Sequence, residues 1–124
     1  MSKMIETFNK VIEEIKSDLG DGLLTADIWH LKDAQGLAGY KQNAKATALF
    51  NEVTRILGKT LEGSDYPGLG DYYTVHLDNN SMVVIILFDG YQLGMTVDLS
   101  KTTMGVLMSV VMPKIQDMLK KAVS

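Results

Sequence analysis

The sequence predicts an α/β (α+β) fold of three layers, α/β/α, with the element order α-β-β-α-β-β-β-α and a five-stranded, mainly antiparallel sheet. Three observations carry this reading. Met82-Val83-Val84-Ile85-Ile86-Leu87-Phe88 is an unbroken apolar run, which reads as a strand buried on both faces and therefore covered by helices on both sides. Asn79-Asn80 and Asp89-Gly90 bracket that run with residues that tolerate positive φ, as hairpin turns demand. Three other stretches carry apolar residues at helical spacing, one before, one between and one after the strands.

The first helix is expected over about 3–19, where Ile5, Phe8, Ile12, Ile15 and Leu19 recur at spacings of three and four. Glu6 and Lys10 are spaced for an ion pair on its wet face, and Gly20 is placed to end it. Strands follow at about 23–31 and 37–41, joined by the polar, glycine-ended turn Lys32-Asp33-Ala34-Gln35-Gly36. In the first strand Leu24, Ala26 and Ile28 share one face, while Thr25, Asp27 and Trp29 share the other. The second helix covers about 44–61. Ala46, Phe50, Val53 and Leu57 form the centre of its apolar face, Leu49 and Ile56 widen one flank, and Leu61 widens the other. The arc exceeds the roughly 100° that covering a sheet requires, so part of it is available to a second chain.

After the loop Gly63-Ser64-Asp65-Tyr66-Pro67-Gly68-Leu69-Gly70, three strands are expected at about 71–77, 82–88 and 92–99. Tyr72 and Tyr73 fall on opposite faces of the first of these, and Leu93, Met95, Val97 and Leu99 alternate along the last. The third helix starts near Thr102 or Thr103, either of which can cap it, and carries Met104, Leu107, Met108, Val111, Ile115, Met118 and Leu119 in its stripe. Pro113 lies well inside that stripe and predicts a kink or broken turn. With no internal repeat, low-complexity run or linker, residues 1–124 are expected to form a single domain.

Composition narrows the function. Apolar residues make up 46% of the 124 and charged residues 22%, with a net charge of -3, so no basic patch announces a nucleic-acid partner. No apolar stretch approaches the roughly 20 residues a membrane span needs. The start of the chain runs straight into an amphipathic helix without a signal-peptide core, and there is no cysteine. A cytoplasmic location without membrane insertion is the expectation.

Chemical motifs do not survive inspection. Gly58-Lys59-Thr60 resembles the end of a phosphate loop, but the required glycine five residues earlier is Val53 and the tripeptide sits within a helix. Gly68-Leu69-Gly70 precedes a strand and lacks the third glycine of a dinucleotide fingerprint. His30 and His76 are the only histidines, with no acidic or cysteine cluster beside either. Asp27 and His30 sit three apart on one strand and point to opposite faces, so they form no dyad. Ser81, Ser100 and Ser109 occupy a turn, a strand end and a helix. No catalytic residue, metal site or cofactor is expected, and the chain reads as an interaction module rather than an enzyme.

The order of elements resembles the roadblock/dynein light chain family, whose free-standing prokaryotic members share it over about this length. The local matches are Gly22-Leu23-Leu24 entering the first strand and the Asp33-Ala34-Gln35-Gly36-Leu37-Ala38 turn. Ala44, Ala46 and Ala48 opening the second helix and Gly105-Val106-Leu107 opening the third add to them. Trp29-His30 and Pro113 depart from the family's pattern. The resemblance implies a profilin-like/roadblock fold and a homodimer that scaffolds or regulates a Ras-like small GTPase. It implies dimerisation through the third strand, Tyr72, Tyr73, Thr74, Val75 and His76, with Leu49 and Ile56 of the second helix at the seam. It also implies that Asn51, Arg55, Lys59 and Glu62, expected on the outer face of that helix, meet the partner. A profilin- or PAS-like small-molecule sensor is the alternative, with a pocket lined by Trp29, Met95 and the methionines of the last helix.

Overall fold

The computed structural model of the chain describes residues 2–124 and has the expected order of elements. Helix α1 (Lys3–Leu19) starts at Ser2, whose hydroxyl accepts the Ile5 amide, and ends at Gly20 with a φ of 53°. A turn of 3-10 helix (Gly20–Gly22) leads into strand β1 (Leu23–His30). Strand β2 (Gly36–Tyr40), helix α2 (Ala44–Glu62), and strands β3 (Tyr72–His76), β4 (Ser81–Phe88) and β5 (Tyr91–Asp98) follow. The last helix, α3, opens at Met104–Val106 with Thr103 as its cap, widens into a π-helical stretch at Leu107–Val111 and continues as Met112–Val123. That widening is the break Pro113 predicts. Proline has no N–H to give and crowds the carbonyl four residues back, so the preceding turn loosens.

The strands form one antiparallel sheet in the order β2-β1-β5-β4-β3. Its turns take the conformations their residues permit: Asn80 has a φ of 61°, Asp89 of 48° and Gly90 of 83°. Helices α1 and α3 lie on one face, where Phe8, Ile15, Ile28, Val84, Met95, Leu107 and Ile115 are fully enclosed. Helix α2 lies on the other, over a smaller cluster of Trp29, Val83 and Ile85. Strand β4 feeds both clusters and is buried on both faces, as its unbroken apolar run requires.

Two local expectations are corrected. Leu24 does not share the core face with Ala26 and Ile28. The register with β5 shifts between Leu23 and Thr25, so Leu23 takes the buried place opposite Val97 and Leu24 is exposed. Among the described residues no ion pair joins Glu6 to Lys10; α1 instead offers Glu14 and Asp18 to Lys114 of α3.

Candidate functional site

Helix α2 is rotated away from where its apolar pattern points. Its start is fixed by Asn43, whose side chain accepts the Lys45 and Ala46 amides. The residues it buries most deeply are Thr47 and Thr54, two turns apart. At 100° per residue this contact line lies roughly 80° from the centre of the Ala46-Phe50-Val53-Leu57 stripe. Phe50 still packs on the Trp29 cluster, but Val53 and Leu57 are half-buried and the far flank is open. Leu49 is 57% exposed and Ile56 52%. The helix therefore spends polar residues on its own sheet and turns aliphatic ones outward.

A hydrogen-bonded network explains why threonine faces inward. Gln92 of β5 is fully buried and needs partners. Thr54 Oγ1 donates to Gln92 Oε1 at 2.5 Å, and Gln92 Nε2 donates to Asn51 Oδ1 at 2.9 Å. Trp29 Nε1 donates to the same Asn51 oxygen at 3.1 Å, and Asn51 Nδ2 returns to the Leu31 carbonyl. Thr54 also bonds the Tyr73 hydroxyl at 2.6 Å, tying α2 to β3. Asn51 is thus half-buried and turned to the sheet, which corrects the expectation that it lies on the outer face with Arg55. Neither Gln92 nor Thr54 is marked as a site residue by the apolar pattern. The available signal was Thr47 and Thr54 on one helical line, with Gln92 beside the apolar Leu93.

Arg55, Lys59 and Glu62 are exposed along one flank of α2. Together with Asn51 they border a groove of about 570 Å³ whose other walls include His30, Leu31, Lys32, Leu69 and Gly90. Arg55 and Glu52 form an exposed ion pair one turn apart, and their mutual hydrogen bond raises the guanidinium pKa and lowers that of the carboxylate. The exposed aliphatic residues Leu49 and Ile56 project from a different flank, so the groove and the apolar stripe are separate surfaces.

Strand β3 is the sheet's outer strand on that side and pairs only with β4. Tyr73 points towards α2 and packs with Val75 on the Trp29 cluster. Burial pushes its hydroxyl pKa up, opposed by the bond with Thr54. Tyr72 and His76 are exposed, and Thr74 is half-buried. The two tyrosines occupy opposite faces, as alternation requires.

Asp27 is the one acidic residue buried within the sheet among the described residues, at 5% exposure. Its neighbours across the strands are Gly39 and Gly94. Gly94 leaves room for the Trp29 ring: a Cβ there would lie 2.8 Å from Trp29 Cη2. Trp29 thus belongs to the α2 side and Met95 to the α1/α3 side. They lie on opposite faces of the sheet and line no common pocket, which corrects the sensor pocket expected from the sequence. Among the described residues no three His, Asp or Glu side chains gather as a metal site, and no helix is long and apolar enough to cross a membrane.

No protein-family model matches the sequence, and no curated protein is significantly similar to it. The fold, however, is shared with solved structures. MglB of Myxococcus xanthus superimposes with a TM-score of 0.80 at 11% identity, covering 99% of this chain and 92% of that one. An MglB with a tetrameric arrangement gives 0.76 at 12% identity, covering 98% and 90%. The roadblock/LC7 domain from Streptomyces avermitilis gives 0.65 at 9% identity, covering 93% of each chain. The chain has a roadblock-like fold, and the agreement runs over nearly its whole length.

Proposed function

We propose that this chain is a non-enzymatic, homodimeric interaction module of the cytoplasm that scaffolds or regulates a Ras-like small GTPase. The observation that carries the reading is the rotation of α2, which leaves Leu49 and Ile56 uncovered on a helix whose polar residues hold it to the sheet. Aliphatic residues displayed along a helix flank beside an open strand edge are what a symmetric partner covers. In the dimer the two β3 edges, Tyr72 to His76, pair and bring two α2 helices side by side. That an MglB sharing this fold has a tetrameric arrangement supports self-association of this chain. The groove bordered by Asn51, Arg55, Lys59 and Glu62 then remains free for the GTPase. Within it Asn51 orients the wall through Trp29 and Gln92, while Arg55, Lys59 and Glu62 supply the charged contacts.

The test takes each Ras-like GTPase encoded in the same genome and measures binding by calorimetry against wild type and Arg55→Glu. The charge-reversed protein is expected to bind at least tenfold more weakly while its melting temperature and dimerisation hold. Binding unchanged by the reversal removes this groove from the interaction surface. Failure of every GTPase to bind removes the partner class.

A further inference from the structure

A second cavity lies at the opposite end of α2, between the β1–β2 hairpin and the start of the helix. It measures about 430 Å³ and is lined by Asp27, Ala34, Gln35, Gly36, Gln42, Ala44 and Thr47. Asp27 is its only ionisable lining residue. One carboxylate oxygen, Oδ2, accepts the Asn43 amide at 3.4 Å, near the limit for a hydrogen bond. The other, Oδ1, has no hydrogen-bond donor among the described residues, and no Lys, Arg or His forms a salt bridge with the carboxylate. Among the described residues no fully enclosed side-chain oxygen or nitrogen lacks a partner, so the unpartnered Oδ1 is not fully enclosed, and Asp27 lines the cavity. Gly39 lets the Gln42 side chain pack close to the carboxylate: a Cβ there would lie 2.4 Å from Gln42 Cγ, 2.6 Å from the Ala26 carbonyl oxygen and 3.1 Å from Oδ1.

A charge in this setting calls for a counter-charge. Withdrawing a carboxylate from water without pairing it is costly, and burial pushes the Asp27 pKa up to about 6. An anion is not the answer, although a helix starts here. The side chain of Asn43 already takes the Lys45 and Ala46 amides, Asp27 takes that of Asn43, and an incoming anion would meet the Asp27 charge. The two lysines that adjoin the lining residues Gln42 and Ala44 are not directed at it. Lys41 lies over the Tyr40 ring and Lys45 is exposed.

We propose that this cavity is a binding site for a compact organic cation, an alkylammonium or alkylguanidinium group whose N–H donors meet Asp27 Oδ1. The side-chain carbonyls of Gln35 and Gln42 and the hydroxyl of Thr47 are the neutral acceptors around it. The cation is either a free small molecule or the end of a lysine or arginine on another protein.

Titration of the ¹⁵N-labelled full chain with methylguanidinium and methylammonium chloride, against sodium chloride at equal ionic strength, tests this. Saturable amide shifts are expected at Gly36, Gly39, Gln42, Asn43 and Thr47, with dissociation constants in the millimolar range or below. Asp27→Asn, which keeps an acceptor for the Asn43 amide, should weaken the organic cation at least tenfold while its amide spectrum stays that of a folded chain. An arginine blocked at both termini then separates the sources. A site for a free molecule excludes it, and a site for a partner's side chain binds it as well as methylguanidinium. Absence of saturable shifts up to about 100 mM, or equal shifts in Asp27→Asn, overturns the proposal.

Discussion

The two faces of the sheet are built on different terms. On the α1/α3 face, residues from every layer are fully enclosed: Phe8 and Ile15 from α1, Leu107 and Ile115 from α3, Val84 and Met95 from the strands. Phe8 meets Phe88 and Tyr91 edge-on, with ring centroids 5.8 and 5.6 Å apart. On the α2 face the enclosed cluster is three residues, Trp29, Val83 and Ile85, and the helix is held as much by hydrogen bonds from Thr54 and Asn51 as by apolar contact. The first face has the composition of a folding core. The second has a polar seam beneath the helix, aliphatic side chains on its outside, and cavities beside it. The packed core and the open surfaces are thus divided between two sides of one sheet.

The sharpest way to break this comparison is a charge on the dense side. Val84→Asp places a carboxylate where no exposure remains, and a small domain holds only about 5–15 kcal/mol in total. The variant should fail to show a cooperative melt by circular dichroism. A soluble, cooperatively melting Val84→Asp protein would mean that the α1/α3 face is not a closed core.

Two matched truncations measure the difference between the faces directly. Phe8→Ala removes a fully buried ring and should cost about 3–5 kcal/mol in urea unfolding. Phe50→Ala removes a half-buried ring from α2 and should cost about 1–2 kcal/mol, since only part of its area leaves water on folding. Equal costs would show that α2 contributes to the core as fully as α1.

Asp27 gives the α2 face a pH signature. Its folded pKa is raised from 3.8 to about 6, so the neutral form is favoured in the folded chain. The corresponding stability is fully present below about pH 4 and is lost as the pH rises through about 6, an effect of at most about 3 kcal/mol. Asp27→Asn carries no such penalty. Its melting temperature should exceed that of the wild type at pH 8 and converge with it at pH 4. A constant difference across that range would show that Asp27 ionises as freely folded as unfolded.

The difference between the faces also governs what the sequence discloses. The dense face is legible because burial there follows period: Leu93, Met95 and Val97 alternate, and Phe8, Ile12 and Ile15 recur along one helical line. The strand order around β4 follows from its double burial and the turns beside it. The α2 face breaks the rule that the apolar stripe faces the sheet. Buried Gln92 and the Trp29 indole require polar partners, and satisfying them turns Thr54 and Asn51 inward against the hydrophobic pattern. Arg55, Lys59 and Glu62 are exposed as periodicity indicates, yet their grouping with His30 and Leu31 depends on a three-dimensional approach that no spacing encodes. The cavity at Asp27 is hidden for the same reason, because its walls come from β1, the β1–β2 hairpin and the start of α2, which only the fold brings together.

The smallest expected effect on stability is the most decisive for the comparison. Leu49→Asp and Ile56→Asp put charges on the outer flank of α2, where each side chain is already more than half exposed. Exposed substitutions away from special features usually change stability within about 0.5 kcal/mol, so both variants should melt close to the wild type when dilute. If a second copy covers this flank, a charge at its centre is desolvated on association, and like charges from two copies approach each other across the two-fold axis. Light scattering across a dilution series should then show wild-type dimer giving way to monomer in either variant, with the double variant monomeric at every concentration. Wild type that remains monomeric at high micromolar concentration, or variants that dimerise as well as wild type, would leave α2 as a loosely packed helix with no symmetric partner. Loss of the cooperative melt in dilute solution would instead place Leu49 and Ile56 in the fold itself. The two faces would then differ in degree of packing, not in purpose.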